Sequence, residues 1–242
     1  LPGVMPVQWS RFYNSRDARV GILGQGWVTP ASFEIVFPEE GRLAVYGAQG
    51  RELIYEDIQP GHRYYDISEQ FQIVRDAQGA YSIAYPGEGF VLAFGPRDSG
   101  VVGERLKLKA ELDTSGNCLS YEYNQQGLLQ SLHSSSGVSV EFVYDTPALG
   151  HVRLVQVQPL GQPDQAWVRY QYDAHGDLSV VHDAEGCPVR RFGYRNHMMV
   201  WHSDAAGATS HYEWDRYEPE GRVIRQWVDG GLELHHRYGE PQ

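Results

Sequence analysis

Five aromatic pairs mark the second half of this 242-residue chain at nearly constant intervals. They are Tyr121/Tyr123, Phe142/Tyr144, Tyr170/Tyr172, Phe192/Tyr194 and Tyr212/Trp214, and their second members fall 21, 28, 22 and 20 residues apart. Turn glycines keep the same beat: Gly116 and Gly137, like Gly186 and Gly207, are 21 residues apart. A fixed period of this length signals a repeat architecture. The i, i+2 spacing within each pair puts both rings on one face of a strand. At ~3.3 Å per residue, about 21 residues make two strands and two turns, so each repeat is expected to be one β-hairpin.

The turns carry their own chemistry. In Tyr172-Asp173-Ala-His-Gly176 and Asp183-Ala-Glu-Gly186, the Asp side chain can bind the backbone and the Gly tolerates positive φ. The strand face opposite the rings is polar, as in Ser120/Glu122, Ser139/Glu141, Arg169/Gln171 and His211/Glu213. One face is therefore expected to be packed or to line a cavity, with the other meeting solvent. Tandem antiparallel hairpins form a ribbon, and a long ribbon must coil, because sheets twist and open edges are hazardous. The single long interval holds an insertion, Thr146–Gln165, expected as a longer hairpin loop. Asn124 replaces the turn Asp after Tyr123, and Trp214 stands where Tyr would precede Asp215.

The first 110 residues lack the period but share the style. Short strands such as Phe33–Phe37, Leu43–Tyr46, Gln72–Val74, Tyr81–Tyr85 and Phe90–Phe94 alternate with Gly-rich turns. Near the start, Trp9, Arg11 and Tyr13 alternate as on one strand face, and Gly24, Gly26 and Trp27 form a tight corner with backbone packed beside the indole. A lone G-x-G with no helix after it is not a phosphate loop. Arg97–Lys109 is loose and charged and is expected to be a junction. The reading is an all-β chain with a β-meander over 1–110 and hairpin repeats over 111–242. The 16 Tyr, 6 Trp and 27 Gly agree with that class.

Charge and composition exclude several functions. The net charge is −11 with no Lys/Arg cluster, so no nucleic-acid partner is expected. No apolar run spans a bilayer, and no signal peptide is visible at the start. Cys118 and Cys187 are expected to be free thiols, because two cysteines are too few for a disulfide framework.

Catalytic constellations are equally thin. Glycoside cleavage needs two carboxylates roughly 5–10 Å apart, and the chain has 31 Asp and Glu. Most Asp, however, occupy turns: Asp76, Asp113, Asp173, Asp183, Asp204. Of the ten His, none sits in H-x-x-x-H or H-E-x-x-H, and G-x-S-x-G is absent. His175 beside Asp173 and His182 beside Asp183 invite a catalytic reading. Their copies in other repeats keep the turn and lose the His, which makes them punctuation. No catalytic residue, cofactor or metal ligand is expected, and the chain is read as a non-enzyme.

Two blocks resemble a known family. Tyr172-Asp173-x-x-Gly176-x-Leu178, then Asp183-x-x-Gly186 and Phe192-x-Tyr194, is similar to the YD repeat of the Rhs and teneurin-like superfamily. Trp9-x-Arg11-x-Tyr13-x-Ser15, then Gly21-x-Leu23-Gly24-x-Gly26-Trp27, resembles the block that opens the shell of bacterial Rhs proteins. Tyr123, Tyr144, Asp145, Tyr194, Trp214 and Asp215 occupy the same motif positions in the other repeats. The resemblance implies a β-ribbon wound into a hollow cocoon around a C-terminal toxin. It implies a secreted effector, made in the cytoplasm and exported by type VI secretion or a similar route in interbacterial competition. Its partners would be the remaining shell segments, the enclosed toxin of the same polypeptide and secretion spike proteins. The family's self-cleaving core carries Asp-Pro, and this chain has no Asp-Pro dipeptide. The chain is therefore expected to be the first part of a shell, without the spike-docking region, the cleaving core or the toxin. The alternative is an extracellular carbohydrate-binding or adhesion module, with a glycosidase third.

Overall fold

The Asp-x-x-Gly turns close by a repeated pair of interactions. At Asp173, Oδ1 accepts the amides of His175 and Asp177 at 2.8 and 3.0 Å. The backbone ring closes through Asp173 N to Asp177 O at 2.9 Å and Gly176 N to Asp173 O at 3.1 Å. Asp113, Asn124 and Asp204 accept two amides each in the same way. Asn124 thus does what Asp does, because its carbonyl oxygen offers the same acceptor. A computed structural model of the chain describes residues 5–47, 49–148 and 150–239. Its described residues are strands and turns, with one short 3-10 turn at Pro30–Ser32. Among them no helix is long and apolar enough to cross a membrane.

The chain packs as two compact units that do not follow chain order. The first joins the described residues up to Phe12 to Val28–Glu141; the second joins Tyr13–Trp27 to the described residues from Phe142 on.

The first unit is a two-layer sandwich. In one sheet Glu34–Val36 lies between Arg105–Lys107 and Arg42–Tyr46, with Glu52–Glu56 at the edge. In the other, His62–Asp66, Phe71–Arg75, Ala80–Tyr85, Phe90–Pro96, Ala110–Asp113, Cys118–Tyr123 and Leu129–Ser134 follow one another antiparallel. Ile35, Leu43, Ile73, Ile83 and Phe94 are fully buried between the layers, and Phe37 meets Tyr81 edge-on at 5.4 Å. Arg97–Lys109 is not a junction. It carries the chain back across to the first sheet as Arg105–Lys107. Its loop is organised by Glu104, whose carboxylate accepts the amides of Asp98, Ser99 and Gly100 at 2.8, 3.3 and 2.8 Å.

In the second unit the strands again pair in chain order from His151–Pro159 through Val168–Tyr172, Leu178–His182, Pro188–Arg195, Met198–Asp204, Thr209–Trp214 and Val223–Val228 to Glu233–His235. The insertion is not a long loop: His151–Pro159 within it is a nine-residue strand. Residues 147 and 148 of its side chains and Leu149 lie outside what is described. The strand expected over Trp9–Tyr13 also shortens, to Phe12–Tyr13. Trp9 and Arg11 are half-buried in irregular chain, because alternation there serves side-chain packing rather than a ladder.

A feature invisible in the alternating pattern recurs in four hairpins. Register slips by one just before the second aromatic: Glu122 pairs Ser131 but Tyr123 pairs Leu129, and Gln171 pairs Val180 but Tyr172 pairs Leu178. Gly193/Tyr194 and Glu213/Trp214 repeat the slip. One residue of each return strand, Gln130, Ser179, Val200 or Ile224, is left as a bulge. Bulges bend a strand and increase its right-handed twist, so these four hairpins take extra twist at the same place.

Candidate functional site

In three of the five pairs the polar atom of the second aromatic reaches a main-chain carbonyl earlier in the chain. Tyr123 Oη donates to Leu108 O at 2.9 Å, Tyr172 Oη to Leu154 O at 2.6 Å and Trp214 Nε1 to Met199 O at 2.9 Å. Tyr238, just past the last strand, makes the same reach to Val223 O at 2.8 Å. Met199 and Val223 are the residues that face Tyr194 and Trp214 across their own hairpins. Each of these four rings therefore ties its segment to the main chain of an earlier one. The recurrent contact is a hydrogen bond from the ring's polar atom, so Trp214 can substitute for Tyr: its N–H donates where a phenol would. Tyr172→Phe is expected to cost about 1–1.5 kcal/mol, because it leaves the fully buried Leu154 without that donor. Urea unfolding should show a lower midpoint at unchanged slope.

The motif turns hold their positions around these ties. Asp183 accepts Cys187 N at 2.8 Å, and Gly176 and Gly186 have φ of +78° and +82°. Asp215 closes a wider turn, accepting Arg222 N at 2.8 Å. Tyr144 is half-buried and Asp145 is exposed, its Oδ1 accepting Thr146 N at 2.7 Å.

Residues 13–27 form a clasp on the repeat hairpins of the second unit. Trp27 Nε1 donates to Tyr194 Oη at 2.9 Å and the indole meets Phe192 edge-on at 5.0 Å. Tyr13 packs 5.3 Å from Trp27 and 6.3 Å from Tyr194. Its hydroxyl donates to His197 O at 3.2 Å and accepts Met199 N at 3.0 Å. Burial pushes this phenol up to about 12, with Asp177 adding to the rise and the Met199 amide opposing it. Leu154 N donates to Ile22 O at 2.9 Å. The corner needs its glycines. Gly26, at φ +74°, would place a Cβ 2.9 Å from both Asn14 O and the Tyr13 ring, and Gly24, at φ +100°, would place one 3.1 Å from Gly176 O. The L-G-x-G-W block is thus shaped to lie against the turn of a repeat.

Beneath the clasp sits a charge cluster that sequence reasoning missed, with Asp177 and Arg153 buried and His197 at the surface. Asp177 is 3 % exposed, and both its oxygens lie 2.9 Å from His197 Nδ1. Burial pushes its carboxyl above the usual range, against the pull of His197. Arg153, 5 % exposed, donates to Gly176 O at 3.1 Å. Asn196 and His197 both take positive φ, +50° and +62°, as a two-residue hairpin turn requires. That Asn-His pair between two strands was the one local signal available. Arg153 and Asp177 had none, because their partners are distant in sequence.

These groups spend their polar atoms on backbone and on one another. Among the described residues no group of three or more His, Cys, Asp or Glu could hold a metal ion. Asp173 accepts backbone amides and His175 stands at its turn, so their adjacency is turn geometry. Cys118 is half-buried and Cys187 exposed, and both are free thiols. The arrangement is suited to holding strands in place.

Comparison with known proteins adds an independent line. A family model described as "Domain of unknown function (DUF6531)" matches residues 1–55, which contain the clasp. The chain is 32% identical over 233 residues to "Double-stranded DNA deaminase toxin A" of Burkholderia cenocepacia (strain H111), covering 96% of this chain and 16% of that protein. It is 30% identical over 266 residues to "Toxin protein Tse5" of Pseudomonas aeruginosa, covering 95% of this chain and 20% of that protein. It is 25% identical over 304 residues to "Probable deoxyribonuclease RhsB" of Dickeya dadantii (strain 3937), covering 93% of this chain and 20% of that protein. The chain spans no more than a fifth of the length of these relatives.

Proposed function

We propose, for a chain that belongs to the Rhs-type polymorphic toxin family, that these residues are a non-enzymatic part of a shell. The shell encloses the C-terminal toxin of a longer polypeptide for delivery by type VI secretion or a similar route. The observation that carries this reading is a contrast among relatives. Nearly the whole chain matches both a protein named as a DNA deaminase and one named as a probable deoxyribonuclease. A segment common to different chemistries supplies what they share, and a container is such a thing. The geometry supports the same reading, since ring ties, bulges and turns repeat while no reactive constellation does. In this proposal residues 1–110 open the shell and 111–242 continue it as repeats, a division of sequence pattern that the packing units cut across. The remaining shell segments and the toxin are its partners within the polypeptide, and secretion spike proteins are its partners in export.

The test uses the whole polypeptide. Electron microscopy should show a hollow particle containing density, and limited trypsin digestion should spare the toxin segment while the shell is intact. A solid particle, or a toxin digested equally fast with and without the shell, would remove the reading.

A further inference from the structure

The strand His62–Asp66 is the outer edge of its sheet, paired on one side only, to Phe71–Arg75. Natural edges are blunted by Lys, Pro, bulges or a covering segment. This one has no Lys, Pro or bulge: it reads His-Arg-Tyr-Tyr-Asp, with charges only at Arg63 and Asp66, and its register with Phe71–Arg75 runs without a shift. Its first four residues are exposed, with Tyr64 and Tyr65 at 49% and 45%. Ile67 at 76% and Ile54 at 56%, the latter on the edge strand of the other sheet, extend the apolar surface. Tyr55 and Tyr64 meet at 5.5 Å beside a hollow of about 430 Å³ lined by Arg42, Ile54 and Ile58.

The five residues are complementary to themselves when run antiparallel. With Tyr64 opposite its own copy, His62 faces Asp66, and Arg63 faces Tyr65. Asp66 already accepts the Tyr55 hydroxyl at 2.7 Å and the Ser68 amide at 2.8 Å, so the first pair adds only a charge beside His62, while the second can form a cation–π contact. Among the described residues Arg63 has no ion-pair partner within its own chain, which leaves its guanidinium for such a contact. A two-fold axis through Tyr64 makes every favourable pair occur twice, as an isologous interface requires.

We infer that the His62–Asp66 edge pairs antiparallel with the same strand of a second copy of this chain, in the register that sets Tyr64 against Tyr64. Five paired residues bury less than the ~1,200 Å² of a stable interface, so the dimer is weak.

Register makes the test specific. In the 242-residue chain with Cys118 and Cys187 replaced by Ser, Tyr64→Cys should crosslink between copies on mild oxidation, since directly opposite Cβ atoms lie about 4.5–5.5 Å apart. Arg63→Cys and Tyr65→Cys should crosslink at least tenfold more slowly, because each then faces a different residue. In sedimentation equilibrium, Tyr64→Lys should weaken dimerisation at least tenfold by setting like charges against each other, with thermal unfolding lowered only slightly, since within the chain the half-exposed ring gives up one ring contact, to Tyr55. Equal crosslinking at the three positions, a monomer throughout, or a crosslink that vanishes in the longer polypeptide because another of its segments covers the edge would overturn the inference.

Discussion

Trp27→Ala is expected to destabilise the second unit by about 3–5 kcal/mol, the usual cost of emptying a large aromatic site. Trp27 is 7 % exposed and makes three contacts at once: ring to Phe192, ring to Tyr13, and its N–H to the Tyr194 hydroxyl. Its loss leaves that buried phenol without its donor and opens a void under the clasp. Trp27→Phe separates the two effects. It keeps most of the volume and removes the hydrogen bond, and should cost about 1–2 kcal/mol. Urea unfolding followed by near-ultraviolet circular dichroism reads both. An alanine variant within 1 kcal/mol of the parent would mean that residues 13–27 lie on the hairpins without holding them.

The second large effect belongs to Glu104 in the first unit. Burial alone would raise its carboxyl, but the amides of Asp98, Ser99 and Gly100 and the Ser99 hydroxyl outweigh it and bring it down to about 2 from 4.5. Because the folded value lies below the unfolded one, the stabilisation is full above about 4.5 and is lost as pH falls toward about 2. A lowering of this size corresponds to roughly 3 kcal/mol. Glu104→Gln should cost about 2–3 kcal/mol at neutral pH and flatten the acid limb of the stability curve. A variant whose acid limb matches the parent's would show that the carboxylate does not organise the 98–100 loop.

What could be read from the sequence was local. Asp173 and Gly176 lie in one turn, and Asp-x-x-Gly states its own geometry. The i, i+2 rings of Tyr170 and Tyr172 share a strand face by covalent geometry alone. The period gave the hairpins because each repeat pairs with its chain neighbours. The tie from Tyr172 to Leu154 was not legible, because a phenol and a carbonyl 18 residues apart leave no mark in composition. The bulges at Gln130 and Ser179 were hidden too, since these residues look like any others in alternating strands. The clasp was half-visible. Its glycines announced a close approach, but nothing in Gly24-Gln-Gly-Trp27 names Gly176 or Tyr194 as what is approached. Arg97–Lys109 misled for a related reason: its polarity, which suggested a linker, reflects the inward-turned carboxylate of Glu104.

The clasp also sets an order of events during synthesis. Trp27 and Tyr194 are 167 residues apart. At roughly 5–20 residues per second, the clasp leaves the ribosome about ten to thirty seconds before its docking site exists. Through that interval Tyr13, Leu23 and Trp27 have no site to fill, and each hairpin that emerges can tie only to the one before it. The second unit is therefore finished from both ends of its own sequence: its earliest-made segment is among the last to find its place.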